Sequence, residues 1–171
     1  MTNSPESTKS KPLEISIVIP IYNERENLPL LDEKITKSIK PLNKDYEVIL
    51  VDDGSVDGSA DLIRKLKNGN PHLRLIRFGR NHGQTAAFAA GFSKARGNII
   101  VTMDADLQND PADIPLLLEK INEYDVVCGW RHKRNDPWTK KLSSKIANAV
   151  RNALSEECIA DTGCSLKAFR R

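Results

Sequence analysis

The sequence has few cysteines, and their arrangement excludes two kinds of scaffold. Cys128, Cys158 and Cys164 are an odd number, and no two of them form a C-x-x-C pair. An odd set without that spacing argues against a disulfide framework and against a zinc site. We therefore expect ordinary thiols in a reducing compartment and predict no chemistry from them.

Long apolar runs and a strong charge of either sign are also absent. No apolar stretch approaches the roughly 18 residues that a membrane span requires. The opening segment, MTNSPESTKSKP, lacks the apolar core of a secretory signal. Lys+Arg 26 against Asp+Glu 23 leaves a net charge of +3, too small to indicate nucleic-acid binding without a clustered basic patch. We expect a disordered lead over residues 1–13, a domain over residues 14–171 and no nucleic-acid partner.

Two glycine-rich phosphate-binding motifs are missing as well. No G-x-G-x-x-G follows the first predicted strand, and no G-x-x-x-x-G-K-[ST] occurs anywhere in the chain. These absences exclude the dinucleotide-binding fingerprint and the P-loop. A nucleotide would then be held by acidic side chains on its base or ribose and by a metal ion on its phosphates.

Apolar runs alternate with helical patterns along the chain and predict one α/β domain. Strands are predicted over residues 15–20, 46–51, 72–78, 98–103, 125–128 and 166–169. Helices are predicted over residues 26–39, 57–67, 84–95, 111–122 and 137–154. This alternation indicates a mostly parallel, Rossmann-like sheet with helices on both faces. Because the sequence ends in LKAFRR just as the sixth strand begins, we expect a piece of a longer protein.

Acidic residues follow three predicted strands, at the edge where such sheets bind ligands. Glu24 follows the first strand, Asp52 and Asp53 follow the second, and Asp104 and Asp106 follow the fourth. Two carboxylates about 5 Å apart repel by roughly 3 kcal/mol at an effective dielectric constant of 20. A divalent metal ion bound between them is the simplest way to offset this repulsion. Residues two apart in an extended segment point the same way, and Mg²⁺ takes one or two carboxylates with waters and phosphate oxygens. Asp104 and Asp106 are therefore the predicted metal ligands.

The segment after the second strand has a simpler explanation for some of its residues. Gly54, Ser55 and Asp57 are explained by a tight turn and a helix cap. That explanation leaves the two consecutive acids, Asp52 and Asp53, unaccounted for. A carboxylate at such a buried edge can accept a hydrogen bond from a nucleobase N–H, which discriminates among bases.

A basic loop, GWRHKRND, follows the predicted fifth strand. A charge run of this kind is commonly a solvated face. Because the loop lies at the same predicted edge as the acids, Arg131 and Arg134 are instead predicted to clamp phosphate groups through bidentate contacts.

Five further segments carry a resemblance to a known family. They are SIVIPIYNERENL from Ser16, VILVDDGSVDGS from Val48, NHGQTAAFAAG from Asn81, VTMDADLQNDP from Val101 and DTGCSLKAF from Asp161. With the GWRHKR loop they resemble the family 2 glycosyltransferases, which have the GT-A fold, over most of residues 16–169. DADLQ-DP, the R-x-x-R loop and DTGC-LKAF are most similar to the polyprenyl-phosphate sugar transferases.

The resemblance implies an inverting transfer of a sugar from a UDP- or GDP-sugar to a polyprenyl phosphate, with Mg²⁺ or Mn²⁺ as cofactor. The substrate pocket would contain Pro20, Tyr22, Glu24, Asp53, Gly83, Asp104, Ala105, Arg131 and Arg134. The metal ligands would be Asp104, Asp106 and Gln108, and the catalytic residues Asp106, Arg131 and Asp161. Asp161 would lie near the acceptor as a base or charge organiser, although an ionised phosphate is already a nucleophile and needs no strong general base.

Members of this family continue with acceptor-side elements and membrane helices that do not occur in this sequence. We therefore expect a donor-binding half with little turnover of its own, located in the cytoplasm or at the cytoplasmic face of a membrane that further C-terminal residues would contact. A homo-oligomer is left open. Three alternatives also stay open: a glycosyltransferase with a saccharide or protein acceptor, a non-catalytic nucleotide-binding fragment, and a receiver-type phosphorylation module.

Overall fold

The computed structural model describes residues 13–130 and 163–171, which form a six-stranded sheet with helices on both faces. The elements are β1 (Ile15–Ile21), α1 (Leu28–Ile39), β2 (Tyr46–Asp52), α2 (Ser59–Gly69), β3 (Leu73–Arg77), α3 (Gln84–Lys94), β4 (Ile99–Thr102), α4 (Ile114–Lys120), β5 (Val126–Cys128) and β6 (Lys167–Arg170). Short 3₁₀ turns, Lys40–Leu42 and Pro111–Asp113, follow α1 and precede α4. All six predicted strands are confirmed, as are the helices within the described residues. The predicted helix over 137–154 and the lead up to residue 12 lie outside them.

The strand order is β3-β2-β1-β4-β6-β5, so the order reverses between β1 and β4. β1 pairs in parallel with β2 and β4, and β2 pairs in parallel with β3. β6 runs antiparallel between β4 and β5, which makes the sheet mostly parallel, as predicted. Open α/β sheets bind ligands beyond the carboxyl ends of their strands at such a reversal. Here that position is the edge formed by the residues after β1 and β4.

The two faces of the sheet are covered by different helices. β1 and β2 are buried along almost their whole length, since α1, α2 and α4 pack on one face and α3 on the other. α3 lies very close to β1, because a Cβ on Gly91 would lie 2.2 Å from Val18 Cγ1. The absence of a side chain at Gly91 permits this close packing. Within the described residues, no helix combines the length and apolar character needed to cross a membrane.

A polar network interrupts the apolar strands near their amino ends. Glu47 of β2 is 2% exposed, and its carboxylate accepts hydrogen bonds from the Ser16 hydroxyl and the Arg96 backbone N–H, both at 2.8 Å. The guanidinium groups of Arg74 and Arg96 donate to the same carboxylate. Burial alone would raise the pKa of Glu47, but these hydrogen bonds outweigh it and hold the pKa below its usual value. The network joins the first three strands to the turn before β4, and the sequence analysis did not predict it.

Candidate functional site

A cavity of about 360 Å³ opens at the carboxyl ends of β1 and β4, within the size range of small-ligand sites. Its wall consists of Pro20, Ile21, Tyr22, Glu24, Asp53, Asn81, Gly83, Gln84, Asp104, Ala105 and Asp106. These residues come from the ends of four strands and the beginning of α3. The cavity therefore lies where the reversal of strand order places a binding site.

The acid pair after β4 contributes two carboxylates to this cavity. Asp104 is half-buried, and its Oδ1 accepts a hydrogen bond from Gln84 Nε2 at 2.7 Å. Asp106 is exposed, and its Oδ1 accepts one from the backbone N–H of Gln108 at 3.0 Å. The chain turns between Asp106 and Gln108 through Leu107, whose φ of 61° lies in the left-handed region. A carboxylate offers about four acceptor positions, so both acids retain acceptors for a cation.

This donor set fits a divalent metal ion. Mg²⁺ binds through one or two carboxylates and completes its shell with waters and phosphate oxygens. Asp104 and Asp106 supply that number of carboxylates in one cavity, whereas the exposed Gln108 does not line it. No group of three or more His, Cys, Asp or Glu side chains able to hold a metal occurs in residues 13–130 and 163–171. The two carboxylates would therefore leave coordination positions open for waters, substrate oxygens and further side chains.

The two consecutive acids at the end of β2 face different surroundings, since successive residues of a strand point to opposite faces. Asp52 is fully buried, and its Oδ2 lies 3.3 Å from Arg77 Nε in an ion pair without hydrogen-bond geometry. Asp53 is 3% exposed and lines the cavity. Its two carboxylate oxygens accept the backbone N–H groups of His82 at 2.7 Å and Gly83 at 2.8 Å. Asp53 thus holds the loop before α3, a role that the sequence analysis missed.

Gly54 brings the turn after β2 against the same loop. Its φ is +75°, and a Cβ there would lie 2.4 Å from the backbone carbonyl carbon of Arg80. Only glycine combines this backbone conformation with so close an approach. The contact and the hydrogen bonds of Asp53 together position Asn81 and Gly83 in the cavity wall.

The loop after β1 is fastened to the loop after β2 through side chains. The backbone N–H of Asn23 donates to Ser55 Oγ, and Asn23 Oδ1 accepts the backbone N–H of Val56, both at 2.9 Å. The backbone N–H of Arg25 donates to Asp57 Oδ2 at 3.0 Å. A turn and a cap therefore explain Ser55 and Asp57 only in part. Both also hold the segment that carries the cavity residues after β1.

Three cavity residues were not predicted, namely Ile21, Asn81 and Gln84. The end of β3 carries no acid, so a search for acidic strand ends passes over Asn81 and Gln84. The topological rule that selects the other strand ends would have selected this one too.

Two large side chains near this edge do not line the cavity: the ring of His82 packs edge-on against that of Phe78 with centroids 5.5 Å apart, and Trp130 is exposed. Arg131, Arg134 and Asp161 lie outside the described residues, so their roles stay predictions.

Two solved structures identify the fold of this chain. A mannosyltransferase from Pyrobaculum calidifontis, in complex with GDP-Man and Mn²⁺, gives a TM-score of 0.65 at 23% identity, covering 95% of this chain and 46% of that one. Glucosyl-3-phosphoglycerate synthase from Mycobacterium tuberculosis, in complex with Mn²⁺, UDP and glucosyl-3-phosphoglycerate, gives 0.68 at 22% identity, covering 99% and 63%. The fold is that of the GT-A glycosyltransferases.

Sequence similarity identifies the family. The model of glycosyl transferase family 2 matches residues 16–171, and the chain belongs to this family. The undecaprenyl-phosphate 4-deoxy-4-formamido-L-arabinose transferase of Proteus mirabilis (strain HI4320) is 46% identical over 167 residues, covering 96% of this chain and 51% of that protein. The chain thus spans about half the length of this relative. The predicted family is confirmed, and the receiver-type alternative is wrong.

Proposed function

We infer that the chain is the donor-binding part of an inverting glycosyltransferase that transfers a sugar from a UDP- or GDP-sugar to a polyprenyl phosphate. The observation that carries this inference is one cavity that gathers eight predicted site residues: Pro20, Tyr22, Glu24, Asp53, Gly83, Asp104, Ala105 and Asp106. The name of the Proteus relative, which specifies an undecaprenyl-phosphate acceptor, supports the choice of lipid. The nucleotides and Mn²⁺ of the two solved structures support the donor and the cofactor.

The residues of the cavity would bind and orient the donor. Asp53 is fixed by two backbone N–H groups and keeps acceptor positions for a nucleobase N–H. Pro20, Tyr22 and Glu24 would contact the nucleoside. Gln84 would hold the Asp104 carboxylate in position through their hydrogen bond.

Asp104 and Asp106 would hold Mg²⁺ or Mn²⁺, with Gln108 as a further proposed ligand. The metal, when bound, would stabilise the negative charge of the diphosphate leaving group. Mg²⁺ and Mn²⁺ are both retained as candidates.

In the proposed reaction an oxygen of the lipid phosphate attacks the anomeric carbon while the bond to the nucleoside diphosphate breaks. Since the phosphate is ionised, no proton has to be removed from it. Arg131 and Arg134 are proposed to meet the acceptor phosphate or the leaving diphosphate, and Asp161 to organise the acceptor. Because the acceptor is a membrane lipid, we place the reaction at the cytoplasmic face of a membrane. Assembly into a homo-oligomer stays a prediction.

A thermal-shift screen tests the donor site directly. The full chain is melted with UDP, GDP or CDP, each with and without Mn²⁺. A ligand at about 100 times its dissociation constant contributes about 2.7 kcal/mol, which raises the melting temperature by roughly 5–10 °C for a chain of this size. Asp106→Asn should abolish the metal-dependent shift. Asp113→Asn, an exposed acid outside the cavity, should preserve it.

Two results would contradict the proposal, and a third would support its non-catalytic alternative. No shift with any nucleotide, from a protein that melts cooperatively, would remove the donor site. In a transfer assay with labelled nucleotide sugar, a product found only in the water-soluble fraction would support the saccharide or protein acceptor. Donor binding without any transfer would support the non-catalytic fragment.

A further inference from the structure

A second cavity, of about 330 Å³, lies on the sheet face that carries α3, and we call it the α3 groove. α3 packs over β1 and β2, so this face continues past the helix onto β4 and β6. The aromatic end of the groove consists of Phe88, Phe92 and Phe169. Its polar end consists of Thr85, Ser165 and Lys167. Phe92 is 40% exposed, so part of its ring borders the open groove.

The two ends are ordered along the strands. In the antiparallel pair of β4 and β6, Lys167 lies opposite Thr102, and Phe169 lies opposite Ile100. Lys167 is therefore near the carboxyl end of β4, and Phe169 is farther from it. On α3 the polar Thr85 lies in the first turn, whereas Phe92 lies in the last. Both elements thus direct the polar end of the groove towards the donor cavity.

The aromatic end forms a continuous apolar wall. The rings of Phe88 and Phe92 stack with centroids 5.8 Å apart. The ring of Phe92 meets that of Phe169 at 6.3 Å. A hydrocarbon chain that lies along these three rings is removed from water, and the hydrophobic effect favours its binding there.

The polar end adjoins the acid pair of the donor cavity. Ser165 Oγ accepts the backbone N–H of Asp104 at 3.2 Å and Asn109 Nδ2 at 2.7 Å. A hydroxyl that accepts two hydrogen bonds still has its own proton to donate. Thr85 directly follows Gln84, whose side chain donates to Asp104. Ser165 and Thr85 of the groove therefore lie next to Asp104 and Gln84, which line the donor cavity.

We propose that the α3 groove binds the phosphate and first isoprene units of the polyprenyl-phosphate acceptor. The phosphate lies at the polar end, and the isoprenoid chain runs along the aromatic end. Charge complementarity sets this direction, because the Lys167 ammonium and the two hydroxyl groups are donors for an anionic phosphate. The arrangement delivers the attacking oxygen beside Asp104. The proposal rests on the proposed function, since it requires a lipid phosphate as acceptor.

Binding of farnesyl phosphate, below its micellar concentration, tests the groove without relying on turnover. The full chain is titrated calorimetrically with farnesyl phosphate, farnesol and inorganic phosphate, and separately with the nucleotide that shifts its melting temperature. Phe92→Ala should weaken farnesyl phosphate about tenfold, since each methylene returned to water costs about fourfold in affinity. Alanine is the best helix former, so α3 should persist in this variant. Leu116→Ala, an exposed apolar truncation on α4, is the matched control and should bind farnesyl phosphate normally.

A second variant tests the polar end and is compatible with the helix. Thr85→Glu places an acid in the first turn of α3, where a negative charge is favourable. It should weaken farnesyl phosphate at least about tenfold and leave farnesol binding unchanged, because the carboxylate repels only the anionic head.

The outcomes separate failure of the groove from failure of the donor site. Suppose that the chain binds nucleotide but either does not bind farnesyl phosphate or binds it equally well in both groove variants. Either result would overturn the proposal for the α3 groove and leave the proposed function standing. Loss of nucleotide binding in the unmodified chain would count against the proposed function itself. If Phe92→Ala only abolished a concentration-dependent dimer, the groove would be a contact between copies, and the proposal would be wrong.

Discussion

The two ends of the sheet both contain carboxylates next to buried strands, but they use them differently. At the amino end, the Glu47 carboxylate accepts hydrogen bonds from a serine, a backbone N–H and two arginines. At the carboxyl end, Asp104 and Asp106 each accept one described hydrogen bond and line a cavity. A carboxylate saturated by protein donors stabilises the fold, whereas one with acceptors left over can bind a ligand.

Removing one acid at the carboxyl end of the sheet should produce the largest effect, and this effect should be a loss of ligand affinity. Asp104→Asn should weaken metal-dependent nucleotide binding at least about a hundredfold, because loss of even an outer partner of a metal site costs 10–100-fold. The melting temperature without ligand should stay close to that of the unmodified chain. Calorimetric titration with nucleotide and Mn²⁺ measures the first quantity, and thermal melting measures the second. A large loss of stability with normal affinity would reverse the roles assigned to the two ends.

Neutralising Glu47 at the amino end of the sheet should instead lower the free energy of unfolding. Glu47→Gln leaves Arg74 and Arg96 without their anionic partner, and we expect a loss of about 2–3 kcal/mol. Denaturant unfolding measures this loss, and nucleotide affinity should change less than about twofold in the folded protein. Glu119→Gln, an exposed carboxylate on α4, is the control and should change neither quantity. If Glu47→Gln weakened nucleotide binding as strongly as Asp104→Asn, the comparison between the ends would fail.

Gln84, which holds Asp104 at the carboxyl end of the sheet, should have an intermediate effect on ligand affinity when it is replaced. Gln84→Ala removes the hydrogen bond to Asp104 Oδ1 but leaves both acids in place. We expect metal-dependent nucleotide binding to weaken about tenfold, the lower range for an outer partner of a metal site. Binding measured without metal should change little, and this split distinguishes positioning of Asp104 from direct contact with the nucleotide. Equal losses with and without metal would contradict the positioning role.

Lowering the pH should produce the smallest change in stability among these tests. It tests whether the ionised Glu47 carboxylate stabilises the amino end of the sheet. The pKa of Glu47 is held below its unfolded value of about 4.3. Its contribution to stability is therefore complete above about pH 4.3 and is lost as pH falls through the folded pKa. The stability gap between the unmodified chain and Glu47→Gln should then narrow below about pH 4.

Comparison with the Glu47→Gln variant is necessary because other acids titrate in the same range. Burial raises the pKa of Asp32, so protonation of Asp32 favours the folded state as the pH falls, opposite to the effect of Glu47. Burial also opposes ionisation of Asp57, but hydrogen bonds from Ser59 and from backbone N–H groups prevail and lower its pKa. Urea unfolding at several pH values measures the gap. A gap that stays constant down to about pH 3 would contradict the assignment to Glu47.

The strands and helices of the described residues can be predicted from the sequence because their apolar spacing repeats with the period of each element. The edge at which the acids lie can also be predicted, since parallel strands present their carboxyl ends together. The Glu47 network cannot, because one acid within YEVILV has no local signal that identifies its partners. The same reason hid the second role of Asp53, whose donors lie about thirty positions along the chain.

By itself, the sequence determined the alternation of elements, the family and the acids at the strand ends, because these depend on local spacing and on motifs within single segments. Only the tertiary structure decided that β6 runs antiparallel, that Asp52 is buried while Asp53 lines the cavity, and that the polar end of the α3 groove lies beside Asp104. These features arise from contacts between residues far apart in the chain. Such contacts form only once the sheet brings its strands and α3 together.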